Sequence, residues 1–269
     1  MTQGVLLFAH DNEQIPYGLF AVWQARRISK WLGKPTSLVA DQNTIDNLGA
    51  LVDVFDKVII SNTLSSQKKS YNGQQLSFNN VDRCMAWELT PYEETVVIDT
   101  DIVIQSNRLN IVWNNAEDIL VCRNSNDVFG RKFVGFDYMS NYGIQFFWAT
   151  EFYFKKNETS KVFFDTCNRI KQNYNWYAHV YDITTKYIRN DHVWSIALHE
   201  LGGKANSKWA VELPFNLYFS IDSDSIISMD NDTVVLHGNN KIRKVQGCDV
   251  HTMNKQSLIE HVKKELCYE

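Results

Sequence analysis

Apolar residues fall along the chain in two kinds of run. Short β-branched runs read as strands, and longer stretches with apolar residues every three or four positions read as helices. Residues 4–9 (Gly-Val-Leu-Leu-Phe-Ala) form the first short run and 36–40 the second. Between them, Leu19, Phe20, Trp23, Ile28, Trp31 and Leu32 make a helical stripe over 17–32 that Gly33 is placed to stop. Strand, helix and strand in the first forty residues make a βαβ unit with a right-handed crossover. The pattern continues with a short helix over 44–52, a third strand over 55–60, a long polar loop over 61–80 and a helix over 81–89 that carries Arg83. A strand follows at 119–122, then an excursion over the sheet at 125–140 and a strand at 142–148, which 151–154 continues or pairs with. The remainder reads as a helix over 160–173, an irregular aromatic stretch to 186, an apolar helix over 193–201 and short extended pieces at 209–213 and 217–220. A hairpin over 226–236 turns at 230–232, and an amphipathic helix closes the chain at 254–266.

One run differs from the rest. Residues 95–104 read Thr-Val-Val-Ile-Asp-Thr-Asp-Ile-Val-Ile. The continuous apolar segment reads as a strand buried on both faces, so Asp99 and Asp101 belong where it leaves the sheet. Side chains two apart on an extended chain point the same way, which lets both carboxylates face one cation. Hard oxygen donors suit Mg²⁺ or Mn²⁺ carrying a diphosphate. The alternative is a solvated strand end.

Composition narrows the classes. The chain has 269 residues, 44% hydrophobic and 22% charged, which supports an α/β fold with a sizeable core. No linker or repeat interrupts it, so one domain is expected over 1–269. A nucleotide-binding half would run to about residue 105, with an acceptor and metal-completing half over about 106–269. The net charge of −4 argues against a general nucleic-acid coat, and the dense basic clusters are Lys68-Lys69 and Lys241-Ile242-Arg243-Lys244. Five scattered cysteines without zinc spacing suggest a reducing, cytoplasmic setting, in which the sequons at Asn157 and Asn231 are chance. No apolar stretch approaches membrane-spanning length.

Several chemistries are absent. There is no G-x-G-x-x-G after the first strand, no P-loop and no G-x-S-x-G elbow. What remains is a set of groups at expected strand exits: His10-Asp11, Asp41, Asp99-Thr100-Asp101 and His237. Two carboxylates and an imidazole make a metal site with positions open for a diphosphate, and Arg83 and Lys241 would neutralise further phosphate charge. Each also has a plain structural reading. Asp191 suits a helix N-cap, His237 a hydrogen-bonded strand end, and Asp11 and Tyr17 a polar loop before a helix.

These residues together resemble the GT-A-fold glycosyltransferases, in particular the retaining glycogenin-like and lipopolysaccharide galactosyltransferase-like group. Leu6 through Asp11 with Tyr17-Gly18 is similar to that group's opening nucleotide-binding strand and loop. Arg83 ahead of Val97-Ile98-Asp99-Thr100-Asp101 resembles its basic residue before the D-x-D strand. Arg189-Asn190-Asp191-His192 looks like its acidic motif near the sugar, with His192 where a Gln is common. His237-Gly238-Asn239-Asn240-Lys241 resembles its closing H-x-x-G-x-x-K element, in a shortened form and without the Pro-Trp that follows it there.

The resemblance implies a GT-A-like α/β fold with a Rossmann-like nucleotide-binding half and a mixed sheet. It implies Mn²⁺ or Mg²⁺ held by Asp99, Asp101 and His237, and a nucleotide-sugar donor, read as a UDP-sugar. That donor would be bound by His10, Asp11, Tyr17, Arg83, Asp99, Gly238 and Lys241. Asp191 and Asp101 would take catalytic roles, with retention of configuration. The same phrases also resemble phage-encoded glycosyltransferases, some of which attach arabinose to 5-hydroxymethylcytosine in DNA. That implies a duplex DNA partner and a host-cytoplasmic setting. A glycan or lipopolysaccharide acceptor is the alternative. A metal-dependent phosphoesterase and a non-catalytic nucleotide- or carbohydrate-binding module are the rival classes.

Overall fold

The computed structural model describes residues 1–61, 68–71, 74–77, 82–141, 143–185, 187–203, 208–209 and 211–268. The chain opens with β1 (Gln3–Phe8), α1 (Tyr17–Leu32), β2 (Thr36–Ala40), α2 (Gln42–Leu48) and β3 (Lys57–Ile60). α1 matches its expected span. It buries Leu19, Phe20, Trp23 and Ile28, and it stops at Gly33, whose left-handed φ of 62° lets its amide reach the carbonyls of Ile28 and Ser29. Of the polar loop expected over 61–80, the described parts pair as a hairpin of β4 (Lys68–Tyr71) and β5 (Gln74–Ser77). The other positions of that loop from 62 onward, and Val81, Tyr142 and Lys186 in neighbouring segments, lie outside the described residues. A 3-10 turn over Asp82–Met85 carries Arg83 into α3 (Ala86–Leu89).

The strand that carries the aspartates is β6 (Glu94–Ile98), buried throughout, followed after a turn by the two-residue β7 (Ile102–Val103). Then come β8 (Ile119–Cys122), β9 (Ser125–Asp127), β10 (Tyr138–Met139), β11 (Ile144–Gln145) and β12 (Trp148–Lys155). α4 (Glu158–Gln172) is closed at its start by a capping box between Asn157 and Ser160. α5 (Tyr174–Val180) occupies part of the stretch expected to be irregular, and α6 is Asn190–Gly202. The chain continues through β13 (Leu217–Ser220), β14 (Ser225–Met229), β15 (Thr233–Gly238), β16 (Lys241–Gln246), β17 (Val250–Thr252) and α7 (Lys255–Leu266).

The expected α/β architecture with a mixed sheet is the one adopted. The main sheet has the order β3-β2-β1-β6-β12-β8. β1, β2, β3 and β6 are parallel, and β12 runs antiparallel to both β6 and β8. The parallel strands therefore deliver their carboxyl ends to one edge, and β12 delivers its amino end to that same edge. A second sheet, β7-β17-β13-β9, grows from the residues just beyond Asp101. A third is the antiparallel β14-β15-β16. The main sheet takes strands from both sides of residue 105, because β8 and β12 lie in it beside β1 and β6.

No disulfide joins the described cysteines. No helix among the described residues is long and apolar enough to cross a membrane.

Candidate active site

β6 ends at Ile98, and Asp99 turns out of the sheet while its amide stays bonded to the carbonyl of Thr150 on β12 (2.8 Å). Asp101 follows and is buried. The partner of this turn comes from far along the chain. β17 pairs antiparallel with β7, setting His251 opposite Ile102, and the Thr252 amide and hydroxyl donate to the Asp101 carbonyl at 3.0 and 2.9 Å. His251 Nε2 lies 3.3 Å from Asp101 Oδ1, and one donor atom each of Asp99, Asp101 and His251 fall within 4.8 Å of one another. Lys255, at the start of α7, forms an ion pair with the other Asp101 oxygen, and Arg83 pairs with Asp99.

A clamp fixes this join. Arg108 donates to Asp249 (2.8 Å) and to both oxygens of Glu151 (2.9 and 2.7 Å), while Asp249 accepts from the Gln105 amide (2.8 Å) and the Ser106 hydroxyl (2.9 Å). The segment after β7 and the residue before β17 are thereby tied together by partly buried charge-assisted bonds, which holds the two paired strands in place.

The site opens into a cleft of about 280 Å³. Phe8, His10, Asn12, Ile15 and Tyr17 line it from the carboxyl end of β1 and the turn into α1. Arg83, Asp99, Asp101, His251 and Lys255 line its charged part, and Trp148, Arg189, Asn190 and Asp191 come from β12 and α6. Asp191 lies in the first turn of α6, where Arg189 is the N-cap residue. Its carboxylate instead accepts the Ala149 amide (2.9 Å) and pairs with Arg189 (2.8 Å). His192, the residue that stands where a Gln is common, is buried and bonded through Nδ1 to the Tyr174 hydroxyl (2.9 Å).

Charge states follow from these surroundings. Burial pushes the Asp101 carboxyl up, but Lys255 and then His251 outweigh it and hold the group well below the usual carboxylate range. Burial likewise raises Asp191, yet Arg189 and the Ala149 amide leave it lowered, so it is ionised at neutral pH. Burial brings Arg83 down to about 10, opposed by Asp191 and Asp101, and it stays charged at neutral pH. Two buried atoms here, Asp101 Oδ1 and His251 Nδ1, make no hydrogen bond. An oxygen–oxygen–nitrogen donor set, in which Asp101 Oδ1 is engaged by the His251 imidazole alone, suits Mn²⁺ or Mg²⁺.

The structure brings His10, Tyr17, Arg83, Asp99, Asp101 and Asp191 to this cleft and leaves five expected residues elsewhere. His237 is exposed on β15, paired with Ser225 and Ile242. Lys241 is exposed at the start of β16. The motif from His237 to Lys241 is a tight hairpin, in which Gly238 pairs with Lys241 and Asn239 and Asn240 take left-handed φ of 50° and 55°. Gly238 is demanded by packing, since a Cβ there would sit 2.0 Å from Asp224 Oδ1. Asp11 faces a separate polar pocket, and its carboxylate accepts the Gly18 amide (2.8 Å) near the start of α1 and the Asn47 amide (3.1 Å). Asp41, another expected strand-exit group, is the N-cap of α2.

The histidine and lysine beside the aspartates are instead His251 and Lys255. The sequence reading missed both. Their signal was the short run Val250-His251-Thr252 followed by a lysine in a helix's first turn, which is weak without the β7 partner.

No protein-family model and no curated protein matches the chain. Solved structures resemble it in part. The glycosyltransferase GlyE of Streptococcus pneumoniae TIGR4 is 11% identical with a TM-score of 0.46 over 79% of this chain, which spans 45% of the GlyE chain. An active-site mutant of LgtC is 12% identical, TM-score 0.47, over 93% of this chain and 86% of its own. Mouse xyloside xylosyltransferase 1 is 10% identical, TM-score 0.45, over 76% of this chain and 83% of its own.

Proposed function

We propose that the chain is a divalent-cation-dependent glycosyltransferase of the GT-A type, which moves a sugar from a nucleoside diphosphate to a hydroxyl acceptor. One observation carries this reading: Asp99, Asp101 and His251 converge within 4.8 Å at a cleft that also holds Lys255, Arg83 and an ionised Asp191. Asp99, Asp101 and His251 would hold Mn²⁺ or Mg²⁺, which when bound neutralises charge on a departing diphosphate. Lys255 and Arg83 add fixed positive charge where that negative charge grows. Tyr17, His10 and Ile15 flank the space for base and ribose, read as uridine. Asp191 faces the sugar, where a carboxylate stabilises oxocarbenium character and orients hydroxyls. Its retention of charge at neutral pH fits that role, and a retaining outcome is part of the proposal.

The test is a donor screen. The protein is incubated with UDP-, GDP- and dTDP-sugars and Mn²⁺, and nucleoside diphosphate release is followed. The expected result is metal-dependent hydrolysis of one donor, lost in Asp101→Ala. Absence of release from every donor refutes the proposal, as does undiminished release in Asp101→Ala.

For the acceptor, hydroxymethylated duplex DNA of the phage type is favoured by one feature, the exposed basic edge strand carrying Lys241, Arg243 and Lys244. Equal turnover of the working donor on hydroxymethylated and plain DNA would reject it in favour of a glycan.

A further inference from the structure

Part of the cleft is aromatic. Phe136 and Trp148 both line it, with ring centroids 4.7 Å apart and planes at 62°. Phe219 packs behind both, 5.3 Å from Phe136 and 5.8 Å from Trp148. The His251 ring meets Trp148 edge-on at 6.3 Å, so this cluster abuts the charged site. Trp148 stands at an irregularity of β12, where the register against β8 shifts between Trp148 and Phe152. Such bulges re-aim side chains at functional edges. The next residue along, Ala149, holds Asp191 through its amide, and Thr150 holds the Asp99 amide through its carbonyl. Trp148 therefore borders the space between Asp99 and Asp101, the carboxylates that would hold the cation, and Asp191, a space which a transferred sugar has to span. Trp148 is only 2% exposed, whereas Phe136 is half-buried. Phe136 offers the accessible ring, and Trp148 and Phe219 hold it in place.

We infer that Phe136, backed by Trp148, is the stacking wall for the transferred sugar and selects a neutral pyranose with a contiguous C–H face. This rests on the glycosyltransferase reading. An aromatic ring covers the apolar face of such a sugar, while its hydroxyl edge is left to Asp191 and neighbouring polar groups.

The test is calorimetric titration, with Mn²⁺ present, of UDP, UDP-galactose and UDP-glucose into the native protein, Phe136→Ala and Phe136→Leu. Thermal melts confirm that the variants fold. Both variants are expected to weaken binding of the preferred UDP-sugar by roughly fivefold while leaving UDP itself within about twofold. Equal weakening of UDP and UDP-sugar overturns the wall, as does native affinity in Phe136→Leu, which keeps bulk but not the ring. Binding of none of these ligands by the native protein overturns the reading of the donor as a UDP-sugar, and with it the wall as stated; the glycosyltransferase reading itself falls only if the donor screen also finds no release. Binding by the native protein with no change in either variant overturns the wall alone.

Discussion

Replacing Arg108 with Met tests the clamp that joins β7 to β17. The substitution keeps much of the apolar stem and deletes the guanidinium, which lies over Phe215 at 4.3 Å from the ring centroid. Glu151 and Asp249, whose side chains are fully buried, then lose their shared cation, and the Asn216 carbonyl loses a donor. Leaving buried carboxylates without their partner costs about 3–5 kcal/mol. For a chain of this size each kcal/mol moves Tm by about 2–4 °C, so the expected fall is roughly 6–20 °C.

The loss also depends on pH in a defined direction. Burial raises Glu151 to about 7, against the lowering effect of Arg108. With its folded pKa above the ordinary 4.5, Glu151 binds its proton more tightly in the native state, so its contribution falls as pH rises through that window. Without Arg108 the folded pKa rises further, and the penalty keeps growing above pH 7. Thermal melts at about pH 5.5 and about pH 8 should therefore show the larger deficit at the higher pH. Adding Glu151→Gln to the variant should recover part of it. A deficit below about 3 °C, or one equal at both pH values, refutes the argument.

His251→Ala should abolish Mn²⁺ binding measured by calorimetry, whereas His237→Ala, on the exposed face of β15, should leave it within about twofold. Gly238→Ala should destabilise the fold by about 1–3 kcal/mol in denaturant melts, because its Cβ meets Asp224 in a closed space. Asp11→Ala removes an acceptor at the start of α1 and should cost about 1 kcal/mol of stability, with UDP affinity unchanged in titration. A loss of UDP affinity without a loss of stability would instead make Asp11 a ligand-binding residue.

Local physics was readable wherever a segment specified itself. The stripe from Leu19 to Leu32 with Gly33 after it defined α1, and the buried run ending at Asp99 placed the carboxylates at a sheet edge. The hairpin of β14 and β15 also appears where it was expected. The histidine was misplaced because a motif's composition says nothing about its partner strand. His237-Gly238-Asn239-Asn240-Lys241 has the residue types of a ligand loop, but two consecutive asparagines in left-handed conformation make a tight hairpin of it. His251 reaches Asp101 only through the pairing of β17 with β7, a contact between segments separated by most of the chain. No local signal encodes that register. Lys255 was hidden for the same reason, as one lysine at the start of an amphipathic helix.

The long-range pairing also sets the order in which the molecule becomes complete. All six strands of the main sheet have been made once β12 ends at Lys155, whereas β17 and α7, which carry His251 and Lys255, follow it with α4 to α6 and β13 to β16 between. During synthesis the sheet can therefore assemble while Asp99 and Asp101 have Arg83 as their nearby cation but neither the imidazole nor the ammonium that completes the cluster. The closing of β17 onto β7 then sets His251 and, from α7, Lys255 beside Asp101. A chain that stops short of β17 would keep its main sheet and lack His251 and Lys255 beside the aspartates, so folding of the sheet and completion of the charged cluster are separable events.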